Sequence, residues 1–209
     1  LAGLAGQAYM HLSAASARMA ARSLHQTAWE LSNRALVVED LASVDLDRRA
    51  HDDARLTLLQ VRKDVTYLRG EWAEAQKTAA ALVRLAELCD EPLAETGGRC
   101  TLARVLLRMD LPDAAREQAE LALARARTSK VRRAVAEALY CQAALAWEDG
   151  DLDTVERLAS EGLVLTRSEE LEGLRADLTV ALAAAQFSKG QLALASKGLT
   201  EARGILDRL

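Results

Sequence analysis

Apolar residues recur at steps of three and four along most of the chain, the spacing that gathers them on one face of an α-helix. These amphipathic runs come in pairs, and the breaks inside the pairs are themselves periodic. Gly70, Gly150 and Gly190 belong to a 40-residue series whose remaining slot holds Asp110, followed by Leu111 and Pro112. Two residues after each break stand Trp72, Pro112, Leu152 and Leu192; five after it stand Ala75, Ala115, Val155 and Ala195. Nine residues after it the series reads Ala79, Ala119, Ala159, Leu199. On the upstream side Ala103, Ala143 and Ala183 recur, with Lys63 departing, followed by Val65, Val105, Leu145 and Ala185. Each unit is predicted to be an amphipathic helix, a two- or three-residue turn and a second amphipathic helix.

Small side chains at these positions have a physical use, because a large Cβ substituent would hold two crossing helices apart. The turn chemistry agrees. Gly150 can take the left-handed conformation that ends a helix, Asp151 can cap the next, and Pro112 suits a first helical turn, where its missing N–H is not needed. An earlier unit carries Ala28, Ser32 and Ala35 at the spacing of Ala75, Ala79 and Leu82, and LASVDLDRR reads as a connector that lengthens the step to the next unit by about seven residues. Gly97-Gly98 reads as a loosened helix start. It lacks the Gly-Lys-Ser/Thr continuation of a phosphate loop.

Composition sharpens the class. Half of the 209 residues are apolar, only 3% are aromatic and roughly a fifth are Ala, which favours closely packed helices over sheet. Arg outnumbers Lys by 22 to 5, a bias that hints at a GC-rich bacterial coding sequence. A net charge of −4 argues against generic phosphate-backbone binding and so against a nucleic-acid partner. Cys89, Cys100 and Cys141 are too few and too scattered for a disulfide framework, so a reducing cytoplasm is the simplest home. No apolar run reaches the length of a membrane span, and the opening LAGLAGQAYMHL lacks the basic region of a signal peptide. The chain starts at Leu1 and stops inside a helical pattern at Leu209, so it is expected to be a piece of a longer protein.

Paired helices with a turn glycine, an aromatic or leucine two residues on and an alanine five residues on resemble tetratricopeptide repeats, in a long 40-residue form rather than the standard 34. The resemblance implies an all-α, right-handed α-solenoid of about ten antiparallel helices in five helix-turn-helix repeats, near residues 8–41, 56–90, 96–130, 136–170 and 176–209. On pattern alone, another α-solenoid or an irregular bundle is the alternative. Long repeats of this kind resemble those in the sensory arms of bacterial transcription activators and signalling ATPases, in peptide-sensing regulators and in kinesin light chains.

In the family's pattern the inner, concave positions fall on Gln60, Asp64 and Tyr67, on Cys100, Arg104 and Leu107, on Tyr140, Ala144 and Trp147, and on Val180, Ala184 and Phe187. Each trio is spaced i, i+4, i+7 and shares one helix face. A partner peptide or helix would set apolar side chains against Tyr140, Trp147 and Phe187, while Asp64 or Arg104 fixes its register by an ion pair. The competing account is packing: Tyr67, Leu107, Trp147 and Phe187 recur 40 apart, and a regular bulky row favours contacts between repeats. Tyr140 stands outside that regularity. The Lys and Asn clamp by which chaperone-binding members hold a C-terminal carboxylate is missing, since Asn33 is the single Asn.

Arg125, Arg127, Lys130, Arg132 and Arg133 form a basic cluster where one helix is expected to end and the next to begin. Cations there offset the negative end of the helix dipole by about 0.3–1 kcal/mol each, and they could also anchor an acidic partner or a phosphate. SEELE at 168–172 marks an expected helix start. DGDLD at 149–153 fails as a calcium loop at Thr154 and Ser160, and His11, His25 and His51 have no ligand-spaced companions, so no metal or cofactor is expected. No nucleophile–base pair is legible, so no enzymatic activity is expected. The functional expectation is a protein or peptide interaction module, the sensory arm of a larger bacterial regulator, with a free-standing scaffold or an enzyme with an unseen site as alternatives. The stripe Leu192, Ala195, Leu199, Ala202 and Leu206 on the last helix adds an expectation of self-association through uncapped terminal helices.

Overall fold

A computed structural model describes residues 3–168 and 171–208. Among them are ten α-helices: α1 Leu4–Ala21, α2 His25–Asp45, α3 Arg48–Leu68, α4 Trp72–Cys89, α5 Pro92–Arg108, α6 Pro112–Ser129, α7 Arg132–Glu148, α8 Leu152–Leu165, α9 Glu172–Ser188 and α10 Leu192–Leu206. The chain divides into two compact units, Leu1–Met109 with α1–α5 and Asp110–Leu209 with α6–α10. In the first unit α1 packs on α2, α3 on α4 and α4 on α5, with α3 also touching α1 and α5. The second unit repeats the scheme: α6, α7, α8, α9 and α10 pack in sequence, and α7 also touches α9. Each helix therefore meets only its near neighbours, the packing logic of a repeat protein.

The predicted turns form as their chemistry requires. Gly70, Gly150 and Gly190 have φ of 72°, 73° and 77°, and Asp110 takes the same left-handed conformation at 59°. In each glycine turn the Gly N–H donates to the carbonyl of the next-to-last helical residue: Tyr67, Trp147 and Phe187 at 3.0, 3.0 and 2.9 Å. The next N–H reaches back one residue further, to Thr66, Ala146 and Gln186, which completes a Schellman closure and satisfies orphan carbonyls. Asp151 caps α8 by accepting from the Thr154 N–H at 3.1 Å, and Pro112 occupies the first turn of α6. A second series 40 apart was not legible: Asp90 and Lys130 end α4 and α6 at φ 54° and 60°. No heavy atom lies within 4 Å of a Cβ built on Gly150, so Gly150→Ala meets only backbone strain. It is expected to lower the unfolding free energy by about 1 kcal/mol, read from the urea midpoint at constant slope.

The small-residue rows are buried as expected: Ala75, Ala79, Ala115, Ala119, Val155, Ala159 and Ala195, and on the upstream side Ala103, Ala143 and Ala183. Two expectations are corrected. The stretch LASVDLDRR is not a connector, because α2 runs to Asp45 and α3 starts at Arg48, leaving Leu46 and Asp47 between them. The extra residues lengthen the two helices to 21 residues each, and Asp47 caps α3 by accepting from Ala50 N–H at 2.9 Å. Gly98 does not loosen a helix start either. It lies buried inside α5, where an added Cβ would stand 2.8 Å from Val83 Cγ2 and 3.3 Å from the Ala79 carbonyl oxygen, so its absent side chain lets α5 seat on α4. Of SEELE, Glu169 and Glu170 lie outside the described residues.

This close seat makes a paired prediction. Gly98→Ala gains about 1 kcal/mol of helix propensity but must displace a branched side chain and a backbone carbonyl, an overpacking cost of about 1–3 kcal/mol, so the net change is destabilising. Gly204→Ala in α10 meets nothing within 4 Å and is expected to stabilise by up to about 1 kcal/mol. Opposite shifts of the thermal midpoint in the two variants would check both.

Candidate partner-binding face

The residues expected to face a partner lie on α3 and α5 in the first unit and on α7 and α9 in the second, and the two sets differ in what holds them. On α3, Gln60 and Asp64 are exposed, and Asp64 accepts from Lys63 Nζ at 2.5 Å. Tyr67 is half-buried: the Arg104 guanidinium lies 4.1 Å over its ring, and Trp72 meets its edge at a centroid distance of 5.5 Å. Arg104, expected to choose the register of a ligand, ties α5 to α3 by this stacking, a contact of about 0.5–1 kcal/mol at partly exposed sites. Cys100 and Leu107 are half-buried beside it in sequence register.

On α7 and α9 the aromatic side chains stand open. Trp147 is 40% exposed and Phe187 64% exposed, with Val180 also exposed and Tyr140, Ala144 and Ala184 half-buried. The bulky row that recurs every 40 residues therefore has two roles. Tyr67 packs, whereas Trp147 and Phe187 remain accessible. Their backbones are fixed, because each carbonyl accepts the turn-closing N–H from Gly150 or Gly190. Two rigid aromatic groups with few rotamers, beside two small alanines, form the kind of surface that gains apolar contact at low ordering cost.

Charges at the rim are already engaged within the second unit. Lys189 just past α9 donates to Asp153 at 2.5 Å and Glu156 at 2.7 Å, and the hydrogen bonds to Asp153 and then Glu156 raise its ammonium pKa above the ordinary value. Asp149 beyond α7 accepts from Arg116 at 2.8 Å, which raises the Arg116 pKa likewise. These charged groups stay partly exposed but are paired with one another.

Several donors of the basic cluster have partners within the second unit. Arg127 donates to Glu161 at 2.9 Å, Arg132 to the Leu165 carbonyl at 3.2 Å, and Arg133 to Glu137 at 2.9 Å. Arg125 is half-buried and partnered, and Lys130 supplies the left-handed end of α6. Their donors serve helix ends and exposed ion pairs, each worth about 0.2–1 kcal/mol. Among the described residues no group of three or more His, Cys, Asp or Glu is placed to hold a metal ion, and no helix is long and apolar enough to cross a membrane.

Sequence reasoning missed one buried cation, Arg62 of α3. Its Nη1 donates to Asn33 at 2.8 Å and Ser32 at 3.2 Å, its Nη2 lies 3.6 Å from Glu74, and its guanidinium covers the Trp29 ring at 4.4 Å. No local pattern marks an arginine for burial, since its partners are 12 to 33 residues away.

No family model matches the sequence, and no curated protein matches it. Solved structures do. The chain is similar in fold to RapI in its apo form, with a TM-score of 0.67 at 13% identity over 96% of this chain and 70% of that one. It is equally similar to BtubC (BKLC) from P. vanneervenii, with a TM-score of 0.67 at 13% identity over 98% of this chain and 82% of that one. At this identity the likeness is one of fold, and it makes the protein an all-α helical solenoid.

Proposed function

We propose that this protein is a protein- or peptide-interaction module of tetratricopeptide-like repeats, working as the sensory or regulatory arm of a larger cytoplasmic bacterial regulator. The observation that carries the proposal is the open pair Trp147 and Phe187, fixed on α7 and α9 while the charges around them are already engaged. The mechanism is binding, not catalysis. An apolar segment of the partner covers the two rings and Ala144 and Ala184 one turn before them, gaining about 25 cal/mol per Å2 buried, less the cost of ordering the segment. A helical repeat suits this use because stacked units hold such side chains at fixed spacing without a lid or hinge.

A pull-down from source-cell lysate, with the native chain compared against Trp147→Ala/Phe187→Ala, tests the reading. A partner held by the native chain and released by the variant, with unchanged circular dichroism, supports it. Equal capture by both would move the site elsewhere. Cloning the flanking coding sequence tests the regulatory placement, which requires an attached DNA-binding, ATPase or kinase domain; a gene encoding only repeats would make the protein a free-standing scaffold.

A further inference from the structure

The outer face of α10 differs from the matching face of α4, α6 and α8 in a way that says what can cover it. In α4, α6 and α8 that face offers Ala79, Ala119 and Ala159, then Val83, Leu123 and Leu163, then Ala86, Ala126 and Thr166. A following helix seats on it: α5 on α4, α7 on α6, α9 on α8. The seat is tight, as the 3.3 Å from a Cβ at Gly98 to the Ala79 carbonyl shows. In α10 the corresponding residues are Leu199, Arg203 and Leu206. Leu199 would strike a helix seated as closely as α5 is on α4, and Arg203 would place a charge where the other units bury Val83 and Leu123. The face is nonetheless apolar, with Leu192 61%, Leu199 49% and Leu206 54% exposed. Together with Phe187, Ser196 and Arg203, Leu192 and Leu199 line a surface groove there.

We propose that this face is a self-association site, on which α10 of a second copy of the chain packs antiparallel about a two-fold axis through Leu199. The sequence is self-complementary in that arrangement. Leu192, Leu199 and Leu206 are spaced by seven, so they share one stripe. An axis at Leu199 sets it against the partner's Leu199 and sets Leu192 against the partner's Leu206. Leucine against leucine suits the wider separation of about 8–10 Å between ordinary helix pairs. Arg203 falls beside the partner's Ser196, which can accept its hydrogen bond, and the antiparallel helix dipoles offset each other. A continuing stack would need a small residue at position 199; a two-fold pair needs a large one. One helix face and a flanking aromatic make a small interface, so the dissociation constant is expected in the range of about 1–100 µM.

Sedimentation equilibrium over that range tests the proposal on this chain. The native protein is expected to pass from monomer to dimer, and Leu199→Glu to weaken the dimer at least a hundredfold while its far-ultraviolet dichroism and urea midpoint stay native, since the position is half exposed. Orientation is read by oxidative cross-linking: Leu192→Cys mixed with Leu206→Cys gives the mixed disulfide, mapped by mass spectrometry, while neither variant alone joins through its new cysteine. A monomer throughout, a dimer untouched by Leu199→Glu, or Leu192→Cys joined to itself would each overturn it. Phe187 borders both the groove and the partner-binding face, so the two readings are separated at residues that belong to one alone: Leu199→Glu is expected to abolish the dimer and keep capture through Trp147, and Trp147→Ala to release the partner and keep the dimer.

Discussion

A chain carrying Trp147→Ala and Phe187→Ala is expected to bind its protein partner at least a hundredfold more weakly while losing about 3 kcal/mol of stability or less. The two halves of that expectation have one cause. With Trp147 40% and Phe187 64% exposed, truncation gives up only part of their packing, so the loss stays below the about 3–5 kcal/mol for removing a fully buried aromatic. When the partner covers them the same rings become central apolar anchors, and truncating such an anchor typically costs about 2 kcal/mol or more. Isothermal titration with the captured partner, set beside urea unfolding of the free variant, separates the two. Weaker binding accompanied by a stability loss well above about 3 kcal/mol would mean that the rings are packing after all.

Arg62→Ala is expected to destabilise the protein by about 3 kcal/mol, the largest effect for any one charged residue here. The side chain is 8% exposed and bridges three helices: Ser32 and Asn33 on α2, its own α3, and Glu74 on α4. Burial pulls the guanidinium pKa below its ordinary value, and Glu74 pushes it back up, so it stays charged and its donors must be met. Truncation removes the stem that fills the interface, the cover over Trp29 and the links to α2 and α4 together. Arg62→Met keeps most of the stem and loses the charge. It is expected to cost less, about 1–2 kcal/mol, because Ser32 still donates to the Trp29 carbonyl at 2.7 Å and Asn33 is exposed, so neither is left buried without a partner. Equal losses in the two variants by chemical denaturation would contradict this division.

Much of the architecture was legible because a repeat states each rule several times. The slot at Asp110 could be read as a turn from the three glycines at the same register, and it does take the left-handed conformation. The same logic failed where the residue carries no such signal: Asp90 and Lys130 end helices 40 apart, but neither is a glycine. Gly98 was misread because a glycine needed for close helix contact and one that weakens a helix look alike in sequence. Only the 2.8 Å approach of Val83 tells them apart. The candidate face was half legible. The i, i+4, i+7 pattern placed every inner residue on a face with at least partial exposure, yet it could not show that Arg104 would close over Tyr67 while Trp147 and Phe187 stayed open. The partners of the basic cluster were not legible for the converse reason. A run of like charges hides the acids and carbonyls that the fold brings to it, such as Glu161 and the Leu165 carbonyl.

The most direct test of the central claim is acrylamide quenching of Trp147 fluorescence in a Trp29→Phe/Trp72→Phe chain, measured with and without the captured partner. Red-shifted, readily quenched emission is expected from the free chain, and a blue shift with protection when the partner is added. Protected emission in the free chain, or emission unchanged by a partner that demonstrably binds, would contradict it.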